Sequence, residues 1–425
     1  MIYIFILLNM FLYLISIYFY KYRNNPISIY VFVWTVSITF YEIKLIYYNT
    51  ISILTWLVII LFELVFTVSC IIGSKIKFFT YCKKDYTSRQ LNDEKLKKNL
   101  KKYIIMFSVF AMIAILTGFV SLLRTYKVNI IGAISLSMKI YNDRLSGENK
   151  FFTIPYLSSF VYTGMIFSGI YYKKYGFKWF MIMPIILMSI QAIGSGNRYG
   201  IIIGILMFFA PLFINVKKEE KDKASLLNKL LLLVGVFCLS VVFIAITSIR
   251  SSWILIDSNV SPLLAKLMSQ NNIYYKLYTY IASPVGVLDA FLKEPYTAPP
   301  GSITFAFIYN LLERFGIIIE SYSKVSKSYS IPILVNTGTY IKDFILEYSG
   351  FSIIFTFIFG LTCGLLYRIT RNGNSIVIYG LYSIIFTLLS LSFFNWYMAE
   401  TLFWINIFIV IIVGNVIDKR CIENV

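Results

Sequence analysis

Apolar residues in this chain come in runs, not in alternation. Residues 1–20 (MIYIFILLNMFLYLISIYFY) are interrupted only by Asn9 and Ser16. Comparable runs recur near 28–48, 51–73, 103–123, 153–172, 179–193, 200–215, 230–249, 346–367, 375–393 and 397–417. A helix of ~20 apolar residues crosses a bilayer, whereas a membrane β-barrel needs alternating residues. The pattern predicts an all-α polytopic integral membrane protein with about 11 transmembrane helices. The first run has no basic start and no small-residue cleavage site, so it reads as a retained span.

Polar segments between the runs set the topology. Ten Lys and Arg fall within 74–102, and a second basic loop, KKEEKDKASLLNK, lies within 216–229. Basic residues concentrate in short cytoplasmic loops. An N-terminus outside and a C-terminus inside makes every alternate loop agree with its assigned side. Three regions follow: spans 1–8 over 1–249, one long extracytoplasmic loop over 250–345, and spans 9–11 with a cytoplasmic tail over 346–425. Within the loop, the pattern predicts an amphipathic helix near 262–281 and a short helix near 285–293. Pro295, Pro299 and Pro300 then break the chain, and 303–319 reads as an interfacial or re-entrant helix because Glu313 and Arg314 lie in its interior.

Composition agrees with the pattern, since 58% of residues are hydrophobic and only 14% charged. The net charge of +19 is spread over short loops and forms no basic domain, which excludes nucleic-acid binding and points to anionic lipid headgroups. There is no His, which removes His-ligated metal sites and catalytic arrangements built on His. No site for a metal and no cofactor is predicted. None of the five Cys falls in a predicted outer loop, so no disulfide framework is implied.

Candidate chemistry gathers at the outer face. Arg198 sits in GSGNRYG, where glycines and exposed amides make a small anion-binding nest; a tight hairpin with a snorkelling Arg is the plainer alternative. Arg250 ends the eighth run. Asp289, in SPVGVLDAF, has an apolar setting in which burial would raise its pKa and suit it to proton abstraction. Asp343 and Glu347 are four apart and share one face of a helix, with Lys342 beside them as a salt-bridge partner. The loop is rich in Tyr, including Tyr278, Tyr280 and Tyr340, and such rings either anchor at the interface or stack on sugars. Arginines, aromatics and carboxylates at an outer membrane face fit a phosphate-bearing lipid that carries a glycan.

Four stretches in order, GSGNRYGIIIGIL (194–206), TSIRSS (247–252), YTYIASPVGVLDAFL (278–292) and NTGTYIKDFILEYSGFSIIFTFIFGLTCGLLYR (336–368), resemble the Wzy-type oligosaccharide repeat-unit polymerases of bacteria. In the last, Asn336 and Thr339 match that family's leading pair and Gly360 and Gly364 its paired glycines, while Glu347-Tyr348-Ser349-Gly350 stands where Asp-Phe-Gly is expected. The resemblance covers roughly the second half of the chain; the early spans agree in hydropathy.

It implies a metal-independent membrane glycosyltransferase of the bacterial cytoplasmic membrane. Such an enzyme moves a growing glycan from undecaprenyl diphosphate onto a new lipid-linked repeat unit, at the outer face. Arg198 and Arg250 would bind the diphosphate, Asp289, Asp343 and Glu347 would be the catalytic carboxylates, and Tyr278, Tyr280, Asn336 and Tyr340 would bind glycan. Implied partners are undecaprenyl-diphosphate-linked oligosaccharides and membrane lipids, with a chain-length regulator and a flippase acting beside it. A flippase or transporter is an alternative, disfavoured by the scarcity of charges within spans and the lack of an internal repeat. A glycan ligase is another, disfavoured by the missing His.

Overall fold

The computed structural model describes residues 1–76, 93–145, 152, 154, 156–195, 198–214, 244, 260–270, 273–317 and 327–421. In chain order its helices are α1 (Ile2–Tyr20), α2 (Pro26–Ile43), α3 (Ile53–Lys75), α4 (Asp93–Tyr126), α5 (Ile130–Ser135), α6 (Ser137–Leu145), α7 (Phe160–Tyr175), α8 (Ile182–Ser195) and α9 (Tyr199–Phe209). There follow α10 (Pro262–Gln270), α11 (Ile273–Lys293), α12 (Ala306–Arg314), α13 (Tyr340–Tyr348), α14 (Ser352–Asn372), α15 (Ile376–Ser390) and α16 (Thr401–Cys421). Among the described residues one antiparallel pair, β1 (Tyr329–Ser330) with β2 (Leu334–Val335), interrupts the helices. Among the described residues, six stretches are long and apolar enough to cross a membrane: α1, α2, α3, α4, the 340–372 stretch and α16. Shorter apolar helices cover Trp179–Ser195, Tyr199–Phe213 and Ile376–Ser390. The expected eighth span and the 216–229 loop lie outside the described residues, apart from residue 244.

The chain divides into two compact units. The first comprises 1–79, 255–369 and 388–404. Its α1 turns a stripe of Phe5, Asn9, Leu12, Ser16 and Tyr20 inward and leaves Ile4, Leu7, Met10, Phe11 and Leu14 exposed. Asn9 and Ser16 share the inward stripe with Phe5 and Leu12 while the outward face is wholly apolar, the reverse of the polar outer face of a water-soluble helix. The buried polar atoms pair with one another, as a lipid surround requires: Ser16 bonds Ser28 at 2.8 Å, Asn25 donates to both, and the Tyr20 hydroxyl donates to the Cys70 carbonyl. Helices α3 and α14 meet through small residues, since a Cβ at Gly364 would run into the Cys70 carbonyl oxygen and one at Gly73 into that of Leu361.

Two expectations for the long segment change. The helices expected near 262–281 and 285–293 become α10 and one continuous α11 that carries Pro284 inside it. Proline removes a helical donor and crowds the preceding turn. Here the Ser37 hydroxyl donates to the Ile281 carbonyl at 2.7 Å, which meets a carbonyl of the disturbed turn from outside the helix. The break after Lys293 falls at the expected prolines, where Gly301 takes the positive φ of 80° that the following turn needs. Helix α12 then spans nine residues, ~14 Å at 1.5 Å per residue, and is too short to cross a bilayer. Residues 318–319 of that expected helix lie outside the described residues.

The second unit comprises 80–254, 370–387 and 405–425. Helix α4 has 34 residues, so its rise of ~51 Å exceeds the ~30 Å hydrocarbon core and its lysine-bearing first turns extend beyond it. Lys97 and Lys101 there lie over the Tyr175 and Phe180 rings. The close approach of α7 and α9 requires glycine, because a Cβ at Gly169 would strike the Phe208 carbonyl. Asp418 of α16 accepts from Ser375 Oγ and Ile376 N, which caps the start of α15.

The α3–α14 contact yields a first prediction. Gly364→Val forces α14 away from Cys70, an overpacking that costs ~1–3 kcal/mol. The melting temperature of the detergent-solubilised protein is expected to fall, while an exposed position on the same helix, Ile354→Val, leaves it unchanged.

Candidate functional site

Asp289 lies on α11, four residues before that helix ends, and is buried. Its Oδ1 accepts from the Ser52 backbone N–H at 2.8 Å and from Thr55 Oγ1 at 2.7 Å. Lys293 Nζ donates to Oδ2 at 2.6 Å, one helical turn on. Ser52 caps α3, so the carboxylate also sits at a helix N-terminus, where a negative charge is favoured. Burial pushes the Asp289 carboxyl up, but Lys293, Ser52 and Thr55 together outweigh it and hold the group below the usual aspartate range. This corrects the sequence expectation of a raised pKa: the neighbouring residues are apolar along the chain, but the fold brings in charged and hydroxyl donors from elsewhere.

A cavity of about 300 Å³ opens beside this carboxylate. Tyr41, Asn49 and Gly286 line one part of it, and Lys293, Glu294 and the 327–331 segment line the rest. Gly286 is needed there, because a Cβ would meet the Tyr41 ring and the Ile331 side chain, each at 2.9 Å. Tyr41 is fixed by its hydroxyl donating to the Asn49 carbonyl at 2.8 Å and by stacking on Tyr48 at 4.7 Å. Lys327 lies over the rings of Tyr296 and Tyr329, at 5.8 and 5.7 Å.

Asp343 and Glu347 do share one helix and are both buried, but their partners are protein groups. Thr339 caps α13 by accepting from Lys342 N. Glu347 accepts three hydrogen bonds at 2.7–2.9 Å, from the Ile303 and Thr304 amides and the Thr304 hydroxyl. Trp396 Nε1 in turn donates to Thr304 Oγ1, and Trp404 Nε1 to the Thr304 carbonyl. Asp343 accepts from the Trp396 backbone N–H at 3.2 Å and pairs with the buried Lys342 at 3.3 Å. These two carboxylates therefore pin the turn after the prolines and the chain around Trp396. Neither lines the Asp289 cavity.

The other predicted residues are scattered. Arg198, directly before α9, is buried in the second unit, and its neighbours 196–197 lie outside the described residues, as does Arg250. The Tyr278 hydroxyl donates to the Phe40 carbonyl and accepts from Leu45 N; its ring is buried. Tyr340 is fully buried, with its hydroxyl 2.9 Å from that of Tyr30. Tyr280 is half-buried with its ring edge-on to Phe394, and Asn336 is exposed just after β2. Among the described residues no group of acidic or Cys side chains is arranged to hold a metal ion. Sequence reasoning missed Lys293, Lys327, Tyr41 and Asn49. The spacing of Asp289 and Lys293 was a usable signal; the others reach the cavity only through packing between distant segments.

The depressed pKa of Asp289 makes a signed prediction. A carboxylate lowered below its unfolded value of ~3.9 stabilises the fold above that pH and loses the contribution as pH falls through the folded value. The difference in melting temperature between wild type and Asp289→Asn should therefore be constant from about pH 7 to 5 and shrink only below about pH 4. A gap that closes between pH 7 and 5 contradicts the assignment.

Comparison with known proteins adds family membership to this geometry. No curated protein and no solved structure matches the chain. A family model, O-antigen polysaccharide polymerase Wzy, matches residues 1–291. The match takes in the early spans, the GSGNRYG and TSIRSS stretches and the Asp289 segment, and stops short of the 336–368 stretch. With more than half of its length matched, and with several helices apolar enough to cross a bilayer, this multi-pass bacterial membrane protein belongs to the O-antigen polysaccharide polymerase Wzy family.

Proposed function

We propose that this polymerase acts at the outer face of the cytoplasmic membrane, with its N-terminus outside and its C-terminus inside. It transfers the growing glycan from undecaprenyl diphosphate onto the non-reducing sugar of a new lipid-linked repeat unit. The observation that carries the reading is Asp289, which lies within the family-matched segment: a carboxylate held anionic beside a cavity large enough for a sugar, whose lining extends past that segment to Lys293, Glu294 and residues 327–331.

In the reaction, an acceptor hydroxyl oxygen forms a bond to the anomeric carbon. The bond from that carbon to the diphosphate oxygen breaks, and its electron pair leaves with the lipid diphosphate. The acceptor proton goes to a carboxylate. Asp289 suits this role as an anion at neutral pH: three donors occupy its oxygens, against about four lone-pair sites, so Oδ2 has capacity for a substrate hydroxyl. Its lowered pKa makes it a weak base, so it orients the hydroxyl first and takes the proton as the new bond forms. Arg198 and Arg250 supply cations for the charge that develops on the diphosphate, and no metal is needed. Asp343 and Glu347 act as positioning residues through Trp396 and Thr304. Tyr280 and Asn336 meet the glycan, while Tyr278, stacked on Tyr48, supports the Tyr41 wall, and Tyr340 packs among Tyr30, Trp34 and Trp396 away from the cavity. A flippase and a chain-length regulator work beside it.

The test uses a deletion strain complemented with variants at equal protein level. Asp289→Asn, Arg198→Ala and Arg250→Ala are each expected to cut polymer per cell at least ~100-fold, as loss of one charge-stabilising group does in other enzymes, and to leave single repeat units on the gel. Normal chain lengths in Asp289→Asn overturn this site, and normal chain lengths in Arg198→Ala and Arg250→Ala overturn the assignment of the diphosphate to those two residues. Loss of all surface glycan in the deletion strain, with lipid-linked units trapped on the cytoplasmic side, overturns polymerisation in favour of transport.

A further inference from the structure

The chemistry around the Asp289 cavity also says which part of the substrate it takes. Two ammonium groups and two carboxylates line it: Lys293 and Lys327, Asp289 and Glu294. Their formal charges cancel. Lys293 is committed to Asp289 at 2.6 Å, and Lys327 is held over two tyrosine rings, an arrangement that satisfies a cation without an anion. A diphosphate placed here would face two carboxylates and gain no unbalanced positive charge. A neutral polyhydroxyl ligand gains from every group: carboxylates accept from its hydroxyls, ammonium groups and Asn49 donate to its oxygens, and tyrosine rings cover its apolar face. The volume, at the lower end of the ~300–1,000 Å³ typical of small-molecule sites, suits a single sugar ring.

The walls are built to keep that shape. The Tyr41 wall is rigid, since its ring stacks on Tyr48 and its hydroxyl is bonded to Asn49, while Gly286 leaves the floor open. Another part of the wall is the 327–331 segment, whose β1 residues are held by β2 behind them: Tyr329 pairs with Val335, and the exposed Ser330 pairs with Leu334. From these observations we infer that the Asp289 cavity is a subsite for one neutral sugar ring of the acceptor repeat unit, and that the lipid diphosphate binds elsewhere. The Lys327–Ser330 segment is then a specificity-determining wall. This rests on the polymerase reading above.

Ser330 gives a direct test. In full-length protein in nanodiscs, with Cys82 and Cys238 replaced by Ser, Ser330→Cys places one thiol at the rim; Cys70, Cys363 and Cys421 are buried. The rate of maleimide labelling is measured with two probes. One is the repeat-unit oligosaccharide freed from its lipid by mild acid, and the other is inorganic pyrophosphate. The oligosaccharide at about four times its Kd is expected to slow labelling about 5-fold by mass action, while pyrophosphate leaves it unchanged. Protection by pyrophosphate equal to or greater than that by the oligosaccharide, protection by neither, or an introduced thiol that does not react at all, overturns the subsite. Glycan gels on the same strain keep the two ideas apart. A chain that polymerises without oligosaccharide protection refutes the subsite alone, and one that fails to polymerise when unmutated refutes the function.

Discussion

Asp289 fastens α11 to the beginning of α3, across more than two hundred residues of sequence, by accepting from the Ser52 amide and the Thr55 hydroxyl. A buried carboxylate must be met by donors from within the protein. The spanning helices of the first unit feel a related demand, since a lipid surround offers their inward polar atoms no water. The Ser16, Ser28 and Asn25 group, the Tyr20 hydroxyl on the Cys70 carbonyl, and the glycines that let α3 and α14 approach are results of that demand. Charge at α11 is tolerated because it is met by a helix N-terminus, a hydroxyl and a lysine one turn away.

That anchoring also makes the carboxylate useful. A rigidly held anion beside an open cavity is preorganised, so it needs little rearrangement when a substrate hydroxyl arrives. Glu347 presents the contrast: its oxygens already accept three donors from the turn that ends in Thr304, and Trp396 and Trp404 close over that threonine. Each carboxylate accepts three donors, two on one oxygen and one on the other, so the bonds do not separate them; what does is that Asp289 lines a cavity and Glu347 is buried away from it.

How much was legible beforehand depended on the range of the interactions involved. Helices such as α1, α3 and α16 were evident because ~20 consecutive apolar residues suffice to define a span. The stop after Lys293 was evident because prolines act locally. Pro284 misled for the same reason: its local effect is real, yet Ser37, far away in sequence, meets a carbonyl of the disturbed turn and α11 continues. Asp289 was found by its apolar neighbours, but the sign of its pKa shift was not, because the donors come from 52–55 and from the next turn. Tyr41, Asn49 and Lys327 carry no motif at all; they belong to the site only because packing gathers them.

The central claim is glycan chain growth by this chain acting alone on lipid-linked repeat units. Purified protein in liposomes, supplied with undecaprenyl-diphosphate-linked repeat units from its own host, tests that claim without other proteins. The account predicts a ladder of lipid-linked polymers, with one undecaprenyl diphosphate released for each repeat added. Repeat units that stay single, or that move across the bilayer without joining, would contradict it.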